Sequence, residues 1–218
     1  MGAKYIIGID EVGRGPIAGP VAVGAFILPA ELNTWDYWNT EGNRTLSDSV
    51  LFPLHDSKKL TEKRREAWFS FLENTEAQLR CSYSVKMVSA SSIDRRGIVP
   101  AIKTALASAL NSVVEEQRGE TSLLKGEVQV LLDGNLRAPE EFENQKTIIR
   151  GDEKEPAIAL ASIMAKVTRD RYMCKLAEKF PDYDLQSHKG YGTKAHIEAI
   201  KKHGLSEMHR KTFCKNFV

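Results

Sequence analysis

The chain has 218 residues, 42% of them hydrophobic, with 15 glycines and 8 prolines. That composition excludes a disordered, collagen-like or disulfide-stapled protein and suffices for one sizeable core. The formal net charge of +2 decides nothing by itself, but residues 186–218 hold seven Lys or Arg against two Glu, which leaves the rest of the chain acidic. A basic face beside an acidic body suits an enzyme that grips phosphates while concentrating carboxylates, and an ordinary solvated helix surface has the same make-up.

Residues 5–9 and 21–28 read as β-strands separated by a turn rich in Gly and Pro, an antiparallel pair at the start of a sheet. The stretch before them is too short for a signal peptide. The polar segment 29–53, with Trp35, Tyr37 and Trp38, is longer than an ordinary loop and has room for a short helix. Residues 61–79 predict a helix capped by Thr61, with Trp68, Phe71 and Leu72 at helical spacing. Residues 80–88 alternate weakly, placing Cys81, Tyr83, Val85 and Met87 on one side of a strand. Ser91 or Ser92 is expected to cap a short turn. An amphipathic helix follows over 98–117, through Ile102, Leu106, Leu110 and Val113.

Two short β-branched runs come next, 128–132 and 147–149, ending near Asp133 and Asp152. Pro156 then opens a long helix to about Phe180, rich in small residues that permit close packing on a sheet. This order predicts an α/β fold with a mixed sheet flanked by helices. No run approaches the roughly 20 apolar residues of a membrane span. The expectation is therefore one soluble, cytoplasmic domain over 1–218, ending in a basic C-terminal helical segment at about 186–218. Cys81, Cys174 and Cys214 are odd in number and widely spaced, so they are expected reduced, and neither they nor the five histidines show zinc-site spacing.

The chemistry concentrates in carboxylates at strand ends: Asp10, Glu11, Asp133 and Asp152. Any one of them alone reads as a turn or cap residue. Together, clustered anions make sense when divalent cations neutralise them, and all-oxygen ligands favour Mg²⁺ or Mn²⁺. Adjacent strand residues face opposite ways, so Asp10 and Glu11 share a cleft only if the chain bends, for which Gly13 and Gly15 offer the means.

Residues 8–21, Gly-Ile-Asp-Glu-Val-Gly-Arg-Gly-Pro-Ile-Ala-Gly-Pro-Val, resemble the opening signature of the type II ribonucleases H. In the same order, segments 56–60 (DSKKL), 133–135 (DGN), 161–171 (ASIMAKVTRDR) and 188–193 (HKGYGT) resemble the family's other motifs. The resemblance implies a ribonuclease H-like fold with a mixed five-stranded sheet. It implies that Asp10, Glu11, Asp133 and Asp152 form the metal-binding catalytic site. Asp170 is a rival for the fourth acid, but its place inside a helix between Arg169 and Arg171 points to an ion-paired role, and Asp152 matches the family's position.

The same resemblance implies that Gly13, Arg14 and Gly15 contact the ribonucleotide and that Tyr191 stacks on the sugar of the following deoxynucleotide. Glycines allow the backbone to approach a 2′-hydroxyl closely. Without the resemblance, the glycines read equally as turn residues, and a tyrosine between two glycines reads as readily as packing or surface filler as it does as a sugar contact. Ser57, Lys58 and Lys59 combine a hydroxyl with two cations ahead of a helix, an arrangement suited to phosphates, although exposed lysines are commonly just solvated. Segment 209–213 (HRKTF) also resembles the family and is expected to help hold the duplex. The link over 31–52 is longer than the family's usual one. The expected activity is two-metal hydrolysis of RNA in hybrids, and of single ribonucleotides in duplex DNA on their 5′ side, by a monomer whose partner is nucleic acid. Type III relatives fit less well, since they carry a lysine variant of the GRG segment. A resolvase-like nuclease or a catalytically silent nucleic-acid-binding module would share the fold without the GRG and KGYG segments.

Overall fold

The computed structural model describes residues 3–41, 53–117 and 125–216. Five strands, β1 Tyr5–Val12, β2 Val21–Pro29, β3 Ser82–Val88, β4 Val128–Asp133 and β5 Gln145–Ile148, form one mixed sheet in the order β3-β2-β1-β4-β5. The helices are α1 Glu62–Leu79, α2 Ala90–Arg96, α3 Ile98–Gln117, α4 Pro156–Lys179, α5 Leu185–His188 and α6 Lys194–His203.

Strand alternation divides the core into two layers. Ile7 and Ile9 of β1, with Val21, Val23, Ala25 and Ile27 of β2, pack beneath Ile102, Leu106, Leu110 and Val113 of α3. On the opposite face Ile6, Phe26 and Leu28 meet α1 and α4 through Trp68, Leu72, Ala157 and Ala161. Two glycines let α4 press onto the sheet. A Cβ on Gly8 would lie 2.1 Å from the Ala157 carbonyl, and one on Gly24 would lie 2.5 Å from the Ala161 oxygen. A third cluster joins Ile17, Met173, Leu185, Ile200 and Met208, fastening the C-terminal segment to the body.

β1 pairs antiparallel with β2 over its whole length, but its parallel pairing with β4 stops at Ile9↔Leu132. Asp10 and Glu11 therefore border a gap at the carboxyl ends of two parallel strands, a place where such sheets leave room for a ligand.

Several expectations change in detail. The α2 cap is Ser89, whose extended backbone lets its hydroxyl accept from the Ser92 amide, not Ser91 or Ser92. In β3 the buried residue is Ser84, because α3 covers that face, whereas Met87 is exposed. β5 ends at Ile148, leaving Ile149 71% exposed. The segment after β2 forms a 3₁₀ turn, Ala30–Leu32, and a π-helical turn, Tyr37–Glu41, while 42–52 lies outside the described residues. Contrary to the sequence reading, Ile98–Glu115 is long and apolar enough on average to cross a membrane. Its apolar face is used instead on the sheet.

Candidate active site

Asp10 sits two residues after Gly8 on the same face of β1, so its carboxylate is directed toward α4. It is buried and hydrogen bonded with Ser162 of that helix, whose hydroxyl lies 2.7 Å from the Ser57 hydroxyl. The bend expected between Asp10 and Glu11 is not there. β1 runs unbroken to Val12, and the chain turns only at Gly13, with φ +86°. Glu11 nonetheless interacts electrostatically with Asp133, and its Oε1 accepts from Arg14 at 3.4 Å.

Asp133 ends β4, and the turn Gly151–Glu153 brings the fourth acid beside it. The Gly151 amide donates to Asp133 Oδ1 at 2.6 Å, and Arg150 enters the turn in the left-handed region with φ +55°. Asp152 is buried, and Lys58 Nζ donates to its Oδ2 at 3.2 Å. Asp170 lies elsewhere, paired with Lys166 at 2.8 Å, while its flanking arginines bind other groups.

Burial pushes the Asp10 carboxyl up to about 8. The charges of Asp133, Glu11 and Asp152 add to the shift, and the bond with Ser162 opposes it. Glu11 is raised by burial against the pull of Arg14, and Asp152 is raised by burial, Asp56 and Asp133 against the pull of Lys58. Burial lowers the Lys58 ammonium, but Asp152, Asp10 and Asp56 outweigh it and raise it overall. Four mutually repelling carboxylates with a single lysine reaching in form an anionic pocket that favours a cation. The donors are hard oxygens, the kind that divalent ions such as Mg²⁺ take. Among the described residues, no three His, Cys, Asp or Glu side chains are grouped as they stand around an ion. Asp133 Oδ1 and Asp152 Oδ2 are instead engaged by the Gly151 amide and the Lys58 ammonium.

The GRG and KGYG segments also meet. A Cβ on Gly15 would touch the Tyr191 ring at 3.9 Å, and that residue is 45% exposed. Gly190, with φ +86°, accepts through its carbonyl from the amides of Ile17 and Ala18. Gly13 admits no side chain, since a Cβ would lie 2.2 Å from Arg169 Nε.

Two expectations need correction. Ser57 is buried with its hydroxyl against Ser162, so it supports Asp10's partner and turns away from any phosphate. Lys58 and Lys59 remain exposed at that edge, leaning on Asp152 and Glu153. In segment 209–213, His209 and Arg210 are wholly buried and cannot touch a duplex. Sequence reasoning missed Ser162, Asp56 and the buried Arg169. All three stand inside the quoted motifs, but nothing in their spacing distinguishes a buried polar residue from a solvated one.

Comparison with known proteins identifies the family. The family model described as ribonuclease HII matches residues 7–216. The chain is 40% identical over 208 residues to the ribonuclease HII of Endomicrobium trichonymphae, covering 95% of this chain and 84% of that one. It is 39% identical to that of Fusobacterium nucleatum, covering 99% and 88%. Its fold superposes on the ribonuclease H2 of Pyrococcus horikoshii with a TM-score of 0.69 at 25% identity, covering 98% and 96% of the two chains. It also matches a Bst-RNase HIII solved with Mn²⁺, with a TM-score of 0.62 at 15% identity over 97% and 65%, a likeness of fold alone. The chain belongs to the ribonuclease HII family and is a metal-dependent ribonuclease H nuclease.

Proposed function

We propose that this enzyme hydrolyses the RNA strand of RNA/DNA hybrids and cuts on the 5′ side of a single ribonucleotide embedded in duplex DNA. The observation that carries the reading is the exposed Tyr191 ring standing against Gly15, in a segment whose Arg14 reaches the acidic cluster through Glu11. A sugar lying over Gly13 and Gly15 meets backbone at close range, where amide and carbonyl groups can read a 2′-hydroxyl. Tyr191 then offers its face to the next sugar, favouring an RNA-to-DNA junction. Lys58 and Lys59 contribute positive charge for the backbone phosphates.

Asp10, Glu11, Asp133 and Asp152 would hold the divalent ions, with Mg²⁺ or Mn²⁺ favoured by the oxygen donors. Divalent ions held by these carboxylates would supply the activation of a water and the neutralisation of charge on the departing oxygen. The carboxylates fix the reacting phosphodiester relative to the sugar-reading segment. Hydrolysis breaks the bond from phosphorus to the 3′ oxygen, leaving a 3′-hydroxyl and a 5′-phosphate. The working unit in this reading is a monomer on nucleic acid.

The test is a labelled duplex with one ribonucleotide, beside all-DNA and uniform-hybrid duplexes, each with Mg²⁺, Mn²⁺ or EDTA. The reading requires metal-dependent cuts on the 5′ side of the ribonucleotide and none in all-DNA. Cutting of all-DNA would point to a general nuclease, and cutting of hybrid alone would remove the junction specificity.

A further inference from the structure

The segment around His209 and Arg210 lies away from solvent, yet it touches both sugar-reading segments. It forms a short antiparallel pairing with the chain after Gly15. Gly19 N donates to Met208 O at 2.8 Å, Arg210 N donates to Ile17 O at 2.8 Å, and Ala18 bridges His209. Successive residues of an extended segment face opposite ways, and here each side chain serves a different partner.

Arg210 donates to three carbonyls: Gly13 at 2.7 Å, Arg14 at 3.0 Å and Gly19 at 3.0 Å. Among the described residues it forms no direct ion pair, so these backbone dipoles, the Phe213 ring 5.3 Å away and the charge of Asp94 offset the guanidinium. Burial pulls it down to about 9, which still leaves it charged at neutral pH. Its planar fork spans several acceptors at fixed angles, which a lysine cannot do.

His209 faces the other segment. The Ser206 amide donates to its Nδ1 at 3.0 Å, so that nitrogen is an acceptor and the proton sits on Nε2. Nε2 therefore donates to His196 Nε2 at 3.1 Å, which in turn leaves the His196 proton on Nδ1, donating to Tyr191 O at 2.9 Å. The relay has one consistent set of tautomers and ends on the backbone of the tyrosine. Asp94 of α2 fastens the segment from outside, accepting from the Lys211 and Thr212 amides at 2.8 and 3.0 Å.

We propose that His209 and Arg210 are positioning residues that set the spacing between the Gly13–Gly15 backbone and Tyr191, and so the preference for a single ribonucleotide over a uniform hybrid. This rests on the reading that both segments contact the sugars at the junction. Arg210 acts by holding the carbonyls that flank Arg14, and His209 acts through His196 on the loop carrying Tyr191. Neither touches substrate.

The experiment measures kcat and KM in Mg²⁺ on a single-ribonucleotide duplex and a uniform hybrid, with a thermal melt of each protein. The proteins are wild type, Arg210→Lys, His209→Gln, Tyr191→Ala and the His209→Gln/Tyr191→Ala double variant. Arg210→Lys and His209→Gln are each expected to lose about tenfold of the single-ribonucleotide preference through misplacement of the loops. The double variant should discriminate no worse than Tyr191→Ala, because His209 acts through that residue. Lower melting temperatures with an unchanged preference would overturn the proposal, leaving the segment a merely structural strap. If Tyr191→Ala keeps the full preference, the sugar-contact reading fails, and the proposal falls with it for that separate reason. Should Arg210→Lys not fold, the His209–Tyr191 cycle decides alone.

Discussion

The molecule holds two concentrations of like charge, and they are settled in opposite ways. At the carboxyl ends of β1 and β4, Asp10, Glu11, Asp133 and Asp152 repel one another, with Lys58 and Arg14 reaching in from outside. Beneath the GRG segment and the turn that follows it, Arg169 and Arg210 are buried near each other, each held by backbone carbonyls. Burial pulls both cations down, yet each donates to three backbone carbonyls, so they brace the fold. The anions repel one another and have fewer partners, so that centre favours something cationic. Unsatisfied charge marks the chemistry, and satisfied charge marks the frame.

The sharpest way to break this comparison is to remove a charge from each centre. Asp133→Asn is expected to cut turnover in Mg²⁺ by on the order of 10³-fold, with duplex affinity changed far less, measured by cleavage and by binding in Ca²⁺. Wild-type-like turnover would sink the assignment. Asp10→Asn should be equally impaired yet melt no lower than wild type without divalent ions, because it relieves a buried charge.

Arg169→Met should do the reverse. It strands the carbonyls of Pro20, Lys189 and Ala18, which now accept at 2.9, 3.1 and 3.4 Å. The expected loss is about 3 kcal/mol of stability in a urea melt, from buried acceptors left unpaired. A loss below about 1 kcal/mol would show that water reaches these groups.

The sequence disclosed the anionic centre far better than the cationic one, for a physical reason. Acids at strand ends stand out against the apolar runs that precede them, and Asp133 could be picked by position, whereas Asp152 was separated from Asp170 by the family resemblance. Arg169, in a helix of mixed polarity, looks like any solvated arginine until Gly13, Gly19 and Lys189 are folded around it. Likewise 186–218 advertised a basic helical segment through Lys194, Lys201 and Lys202, which are exposed, while the buried His196 and His209 gave no periodic signal. β2 and β4 were legible to within a residue, whereas β1 runs three residues past its expected end, through Asp10 and Glu11. The edge strands β3 and β5 were not, since one face of each meets solvent and the pattern weakens.

Gly8→Ala sharpens the comparison by moving the anionic centre without changing its charge. The new methyl would meet the Ala157 carbonyl at 2.1 Å, so α4 must shift from the strand that carries Asp10. Overpacking of this kind costs about 2 kcal/mol. Turnover should fall more than stability alone explains, because Ser162 moves with α4. Unchanged turnover in the folded fraction would show that the Asp10–Ser162 bond does not position the site.

The smallest and most gradual effect is on pH, where the two regions pull in opposite directions. Burial, with the neighbouring His196, pushes His209 down to about 4. As pH falls, the unfolded chain takes up this proton near 6.5, before the folded chain does, so stability is lost between about 6.5 and 4. Asp10 behaves in the opposite sense. Its folded value of about 8 lies above the ordinary 3.8, so its contribution is present in acid and lost as pH rises from 3.8 through about 8. Between pH 4 and 6.5 the slopes oppose, and melts in EDTA should show a shallow dependence. Asp10→Asn should then steepen the loss on acidification, and His209→Gln should flatten or invert it. Identical profiles for the three proteins would mean that neither group titrates differently on folding, and the contrast between an unsatisfied anionic centre and a neutral, hydrogen-bonded histidine relay would lose its electrostatic basis.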